Sequence, residues 1–282
     1  MNEYKIAVVV NPDAGKGKAI RICHSIKEIL GAKNIVYDVY AEQWPHSFDS
    51  YTHIFLIGGD GTLNYFINKF PFLKTPISIF KGGSGNDFAW KLYGDLDYSG
   101  YMDRALNAEP LAVDAGICNG KYFINGVGIG FDGAVVKAMG NRKSITAGHL
   151  SYLWTVLRTI FVYSEQEVEI CSKDFSRAQK TFMISIANGS RYGGGFMVAP
   201  DAIINDGLFD IIVIKAIHKL KRLFYLPLVE KGRHTNLRFV EVVRAGEIKI
   251  KSSRMISAHL DGEPMESKEF LVKLLPGQFF FR

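Results

Sequence analysis

The segment Gly58-Gly59-Asp60-Gly61-Thr62-Leu63-Asn64 directly follows an apolar run, His53–Ile57, and its spacing suits phosphate chemistry. Two glycines after a buried strand let the backbone lie against a nucleotide. Asp60 then projects at the strand end, where a carboxylate can hold Mg2+ through water. A second glycine loop, Lys81-Gly82-Gly83-Ser84-Gly85-Asn86-Asp87, follows the apolar run Ile77–Phe80, and two such loops at adjacent strand ends can clamp one triphosphate. A third loop, Asn11–Lys18, lacks the spacing of a Walker A motif, because Val10 or Pro12 stands where its first glycine belongs and neither lysine precedes Ser or Thr. It still offers backbone N–H groups and a helix dipole to a phosphate. Near the other end of the chain, Glu263 lies in an Asp-Gly-Glu turn between two predicted strands, a rigid place from which a carboxylate can accept a hydroxyl proton. Taken singly, Asp60, Asp206 and Glu263 also fit ordinary turns.

The elements that must position these residues fall into two groups. Up to about residue 112, strand, glycine turn and helix repeat three times: Lys5–Val10, Ile35–Tyr40, His53–Ile57 and Ile77–Phe80 read as strands, with helices around Ile22–Leu30 and Leu63–Lys69. This predicts an α/β amino-terminal domain, residues 1–112, whose ligand binds outside the carboxyl ends of its strands. From residue 113 to 282 short β-rich runs dominate: Glu167–Cys171, Thr181–Ala187, Phe209–Ile214, Glu247–Lys251, Ile256–Leu260 and Phe270–Leu275. Asn119-Gly120 marks a hairpin, and helical patterns cover Asp132–Met139 and His149–Tyr163. The expectation is a β-sandwich-like second domain, with the active site in the cleft between the two. Gly128-Ile129-Gly130-Phe131-Asp132-Gly133 spells a dinucleotide fingerprint, yet no acid occurs between Asp132 and Glu165, so these glycines read as sites of close backbone packing or substrate approach.

Composition narrows the class. The 282 residues are 48% hydrophobic and 22% charged, which excludes a disordered or collagen-like chain. The three cysteines, Cys23, Cys118 and Cys171, lie far apart and suit neither a metal site nor a disulfide framework. The run Ile6–Val10 is too short for a signal core, and no apolar stretch reaches the ~18 residues of a membrane span. The net charge is +6, and Lys215–Arg238, with seven basic residues against Glu230 alone, accounts for all of it. This stretch also carries Leu220, Phe224 and Tyr225 and is a candidate contact for an anionic membrane, as are Lys137, Arg142, Lys143 and Arg158. The plainer alternative is a packed helix with a solvated basic face, its length limited by Pro227. No nucleic-acid recognition motif is present.

The segments NPDAGKGKA, GGDGTLN, GGSGNDFA, FINGVGIGFDG, NGSRYGGGFMVAPDAIINDGLFD and HLDGE, in that order over nearly the whole chain, resemble the diacylglycerol kinase catalytic-domain family, most nearly its soluble bacterial members. The resemblance implies an ATP- and Mg2+-dependent kinase acting on the hydroxyl of a diacylglycerol-like or sphingoid lipid. Asn11, Gly58, Gly59, Asp60, Gly61, Thr62, Leu63 and Asn64, with Gly83, Ser84 and Asn86, would then contact ATP. Asp60 and Asp114 would organise the catalytic Mg2+, Glu263 would be the base, and Asp206 with the carbonyls of Ile203 and Leu208 would hold a structural Mg2+. The implied location is cytoplasmic, at the inner membrane face; a homodimer is compatible, and no nucleic acid is expected. Two departures from the family pattern stand out: Lys81 where a Pro is usual, and Tyr40-Ala41 where a Thr often follows the second strand. A NAD kinase-like enzyme, which shares GGDGT, and a non-catalytic nucleotide- or lipid-binding regulator are the competing readings.

Overall fold

The computed structural model describes residues 4–140, 149–173 and 175–282. The chain divides into two compact units, Met1–Asp114 with Pro276–Arg282, and Ala115–Leu275. In the first unit the elements run β1 (Lys5–Val10), α1 (Lys18–Ala32), β2 (Val36–Tyr40), β3 (His53–Gly58), α2 (Asp60–Lys69), β4 (Ile77–Lys81), α3 (Asp87–Tyr93) and α4 (Tyr98–Asn107); β5 (Leu111–Cys118) leads out of it. The strands lie parallel in the order β4-β3-β1-β2. Nearly every residue of β1 and β3 is buried, as a sheet covered on both faces requires. From β1 the chain crosses to β2 on one side and then to β3 on the other, so the strand order reverses between β1 and β3. Open α/β sheets bind their ligands outside the strand ends at such a point, and here it is flanked by Asn11 and by Gly58–Thr62.

Helices α3 and α4 have no counterpart in the sequence-based expectation. Helix α4 has its own cap, Asp97 Oδ1 accepting from the Gly100 N–H at 2.8 Å. In α3 the cap position is taken by Asn86 in the left-handed region, without a side-chain cap bond of its own. The last residues, grouped with the second domain from sequence, pair with the first unit instead: Phe281 is in parallel register with Ile77, and its ring meets Phe88 at 5.4 Å. Their alternation signals a strand but does not name its sheet.

The second unit continues with β6 (Lys121–Phe123), β7 (Gly126–Gly130), α5 (Phe131–Gly140), α6 (His149–Val162), β8 (Gln166–Cys171), β9 (Ser176–Ala187), β10 (Phe209–Lys215), α7 (Lys219–Glu230), β11 (Val240–Ala245), β12 (Glu247–Leu260) and β13 (Glu263–Phe281), which ends in the first unit. The order β11-β10-β9-β7-β12-β13 is antiparallel, and β8 pairs with the outer halves of β9 and β12. Strands β9 and β12 thereby pair with three strands each, giving the expected β-sandwich-like body. One apolar cluster, including Phe123, Ile184, Ile211, Ile250 and Phe270, fills it. A second, including Phe131, Val156, Phe182 and Ile214, lies under the helices.

Several boundaries differ from expectation. Glu247–Lys251 and Ile256–Leu260 are one strand, β12, whose register shifts between Lys251 and Ile256. Helix α7 runs past Pro227 to Glu230, so the proline does not end it. Arg222, counted among the basic residues for membrane contact, is 3% exposed and faces inward. Arg142 and Lys143 lie outside the described residues. Among the described residues, no helix is long and apolar enough to cross a membrane.

Candidate active site

In the first unit the sequence-predicted loops meet backbone to backbone. The N–H groups of Gly82 and Gly83 both donate to the Gly58 carbonyl, at 2.8 and 3.1 Å. A Cβ on Gly83 would lie 2.5 Å from the Gly59 Cα, and one on Gly58 2.5 Å from the Thr62 side chain. A side chain at Gly83 would force the loops apart, and one at Gly58 would displace Thr62. The first loop joins them, since Asn11 Nδ2 donates to Thr62 Oγ1 at 2.9 Å and a Cβ on Gly15 would strike the Gly82 carbonyl oxygen. Asn86, at φ 56°, closes the second loop by exchanging side-chain hydrogen bonds with the Gly83 N–H and carbonyl.

Helix α2 begins at Asp60, three residues before the expected start, so Asp60 sits in its first turn, where a carboxylate is favoured. Its oxygens accept the N–H groups of Asp87 and Phe88, both at 3.1 Å, which supplies α3 with its missing cap. Asp87, a buried acid that the resemblance left without a role, faces the same spot: a Cβ on Gly85 would lie 2.9 Å from Asp60 Oδ2 and 3.7 Å from Asp87 Oδ2. The GNDFA spelling places Asp87 there and was the available signal. Ser84 is exposed on the loop, whereas Leu63 and Asn64 turn inward from α2 and are buried. Asp114 is buried, and its Oδ1 accepts from the Gly277 N–H at 2.8 Å. A cavity of about 280 Å³ opens beside Asn11, Gly61 and Thr62, with Trp44, Tyr65 and Lys69 on its other side.

In the second unit Glu263 is exposed and follows a two-residue turn, Asp261 at φ 47° and Gly262 at φ 91°, between β12 and β13. Positive φ at both positions matches the twist of a tight hairpin and favours Asp-Gly. Asp261, missed as a functional residue although it lies in HLDGE, fixes this turn. Its carboxylate accepts the N–H groups of Ile124, Asn125 and Gly126 at 2.8, 2.9 and 2.9 Å. The glycines of the false dinucleotide fingerprint are packing sites: a Cβ on Gly128 would lie 2.4 Å from His259 Nε2, and one on Gly133 2.3 Å from the Ala258 backbone. Burial pushes His259 down to about 4.

At the expected structural Mg2+ site Asp206 already has protein partners. Its carboxylate is ion-paired with Arg244 and accepts the Leu208 N–H, while Ile203 is largely exposed. Among the described residues, no three His, Cys, Asp or Glu side chains converge as a metal cage. Asp60 and Asp87 do fit a hydrated Mg2+ held chiefly by phosphate oxygens, because a carboxylate has acceptor capacity left after two N–H bonds.

Beneath α6 and α7 lies an apolar cavity of about 60 Å³ lined by Phe131, Val156, Phe182, Tyr225, Leu226 and Phe239. Its charged lining residues are Asp132 and Arg222. Burial pushes Asp132 up to about 6, against the Tyr192 hydroxyl, whose hydrogen bond to the carboxylate acts the other way. Arg222 is ion-paired with Glu165, donates to the carbonyls of Ile160, Tyr163 and Ile217, and lies over the Phe182 ring.

Two family models match the chain: the diacylglycerol kinase catalytic domain over residues 5–118, and the YegS C-terminal NAD kinase beta sandwich-like domain over residues 125–280. A protein of Yersinia pestis (strain Pestoides F) named "Probable lipid kinase YegS-like" is 30% identical over 226 residues, 78% of this chain and 74% of its own. A diacylglycerol kinase of Bacillus subtilis (strain 168) is 27% identical over 231 residues, 80% and 73% of the two chains. A diacylglycerol kinase structure from Bacillus anthracis str. Sterne shares the fold, with a TM-score of 0.73, 21% identity and coverage of 99% and 96%. An NAD kinase of Archaeoglobus fulgidus in complex with ATP is more distant in fold, at 0.56 and 13%, over 98% and 92% of the two chains. The chain belongs to the YegS-like, diacylglycerol kinase-type family of lipid kinases, and it is a kinase.

Proposed function

We propose that this kinase transfers the γ-phosphate of ATP to the hydroxyl of a diacylglycerol-like lipid. The observation that carries the lipid reading is the apolar cavity under α6 and α7 in the same unit as Glu263. The relative from Bacillus subtilis named diacylglycerol kinase supports the choice of lipid. At about 60 Å³ the cavity holds only part of an acyl chain, so α7 must shift to admit one.

In this reading the N–H-rich loops at Gly58–Gly61 and Gly83–Asn86, with Asn11, Thr62 and Ser84, hold the triphosphate. Mg2+ supplies charge neutralisation on the phosphates when bound. Asp60 and Asp87 would hold it through its water ligands, and Asp114 would join them in that role. Glu263 accepts the hydroxyl proton as the lipid oxygen attacks, a contribution of about 10²–10⁴-fold. A cytoplasmic protein at the inner membrane face is the setting this substrate requires. Its docking surface is the outer side of α6 and α7, where Trp154, Phe161, Leu220 and Phe224 stand exposed among Arg158, Lys219 and Lys221. The Lys219 ammonium also donates to the Phe161 carbonyl at 2.7 Å and ties the two helices together.

The test is label transfer from γ-labelled ATP, with and without a chelator, to diacylglycerol, sphingosine, ceramide or NAD in separate reactions. Labelled diacylglycerol that needs the divalent cation is expected. Label in NAD alone would establish the soluble-substrate reading, and ATP binding without product the regulator reading.

A further inference from the structure

The hairpin that carries Glu263 is pinned at both of its turn residues. Asp261 is held through its carboxylate by the Ile124–Gly126 loop, and the Gly262 N–H donates to Nδ1 of His259 at 3.3 Å. Gly262 has φ 91°, and among the described residues nothing lies within 4 Å of where its Cβ would stand, so that bond rather than packing restrains it. Its peptide leads directly into Glu263. His259 is itself buried, and its partner across the ladder is Gly128 in β7, over which the ring lies. The ring also meets Tyr192 edge to face, with centroids 5.1 Å apart and planes inclined at 77°. Tyr192 is fastened in turn by its hydroxyl, which donates to the Asp132 carboxylate. Accepting a bond at Nδ1 requires a neutral ring with its proton on Nε2, and the burial of His259 keeps the ring neutral at pH 7.

We propose that His259 is a positioning residue for the transfer step: through Nδ1 it holds the Gly262 peptide and thereby aims the Glu263 carboxylate at the lipid hydroxyl. The inference rests on the reading of Glu263 as the base and adds what orients it. Glu263 is exposed, so its aim depends on the backbone that carries it. A general base has to come within about 2.6–3.2 Å of the group it deprotonates. A misplacement of about 1 Å can cost about a hundredfold in rate, although the displaced group still folds into nearly the same structure. Tyr192 and Asp132 act one step further back, by holding the ring. Both also line the apolar cavity, so the wall offered to an acyl chain braces the ring that aims the base.

Steady-state kinetics of the full chain with γ-labelled ATP and diacylglycerol tests this, for wild type, His259→Leu, His259→Asn, Glu263→Gln and the double variant His259→Leu with Glu263→Gln. Leu and Asn have nearly the same shape, but only Asn puts an acceptor oxygen where Nδ1 stands. His259→Leu should lower kcat about tenfold with little change in either KM, and His259→Asn should recover most of that loss. In the Glu263→Gln background His259→Leu should cost nothing further, because it acts only through that carboxylate. A wild-type kcat in His259→Leu, an equal loss in His259→Asn, or the same fold-loss again in the double variant overturns the proposal. Full activity in Glu263→Gln would sink the base reading and the proposal with it, whereas an inactive Glu263→Gln beside an unimpaired His259→Leu would sink the positioning role alone. Nitrogen NMR of the wild-type chain needs neither a folded variant nor a substrate. An unprotonated His259 Nδ1 coupled to the Gly262 amide proton is expected there, and a proton on Nδ1 overturns the proposal.

Discussion

Asp60 Oδ1 accepts the backbone N–H of Phe88 at 3.1 Å, so the carboxylate that follows β3 is also the cap of α3. One residue thus ties the two glycine loops together and faces the space where phosphates would lie. Asp60→Ala removes both bonds to α3 and should cost about 1–2 kcal/mol, a fall in Tm of a few degrees, together with most of the activity. Asp60→Asn keeps one acceptor oxygen, so it should recover much of the Tm but not the activity. Calorimetry beside a kinase assay separates the two effects, and full activity in Asp60→Asn would remove the charge from the account.

Asp261 stands behind Glu263 as a positioning residue. Three N–H groups of the Ile124–Gly126 loop lose their acceptor in Asp261→Ala, and a loss of about 2–3 kcal/mol follows. The kcat should drop while ATP affinity, measured by titration, stays at the wild-type value. An unaltered kcat would show that the hairpin holds Glu263 without it.

Stability should fall as pH drops from 7 to 5. His259, held at about 4, and His53, held at about 3 by burial and then by Arg282, are neutral in the folded chain; His234 is shifted the same way. Below their ordinary pKa of about 6.5 the unfolded chain binds protons that the folded chain does not, so stability is lost as pH falls towards the folded values. Asp132, raised to about 6, acts in the opposite direction over pH 6 to 4 but is one group against three. A Tm at pH 5 no lower than at pH 7 would contradict this, and His259→Gln should flatten the slope.

Membrane contact through α6 and α7 predicts binding to vesicles containing anionic lipid that weakens with salt, by about 1 kcal/mol for each basic residue engaged. Phe224→Ser and Lys221→Glu should each reduce co-sedimentation, whereas Arg222→Met should act on stability, because it strands the Glu165 carboxylate. Salt-independent binding would remove the electrostatic part.

The loops were legible because their chemistry is local. Glycine at positions 58, 59 and 83 is demanded by backbone approach, and Asp-Gly at 261–262 by positive φ, so residue type alone marks them. The parallel strands were legible because β1 and β3 are continuously apolar. What escaped depends on contacts distant in sequence. Helix α3 takes its cap from Asp60, 27 residues earlier, so its start carries no local signal. Pro227 forbids only one helical hydrogen bond, and the apolar residues on both sides of it hold α7 together beyond it. Arg222 reads as one more basic residue of a charged stretch until Glu165 and three carbonyls are seen around it. Trp44 and Tyr65 meet across 21 positions of sequence in no recognisable pattern.

The most direct test incubates the purified chain with γ-labelled ATP, Mg2+ and diacylglycerol in mixed micelles, beside Glu263→Gln of equal Tm and equal ATP affinity. The account predicts a labelled lipid phosphate from the wild type and at least about a hundredfold less from the variant. Equal product from both would remove Glu263 as the base, and no lipid product from the wild type, with ATP bound, would contradict the proposed activity itself.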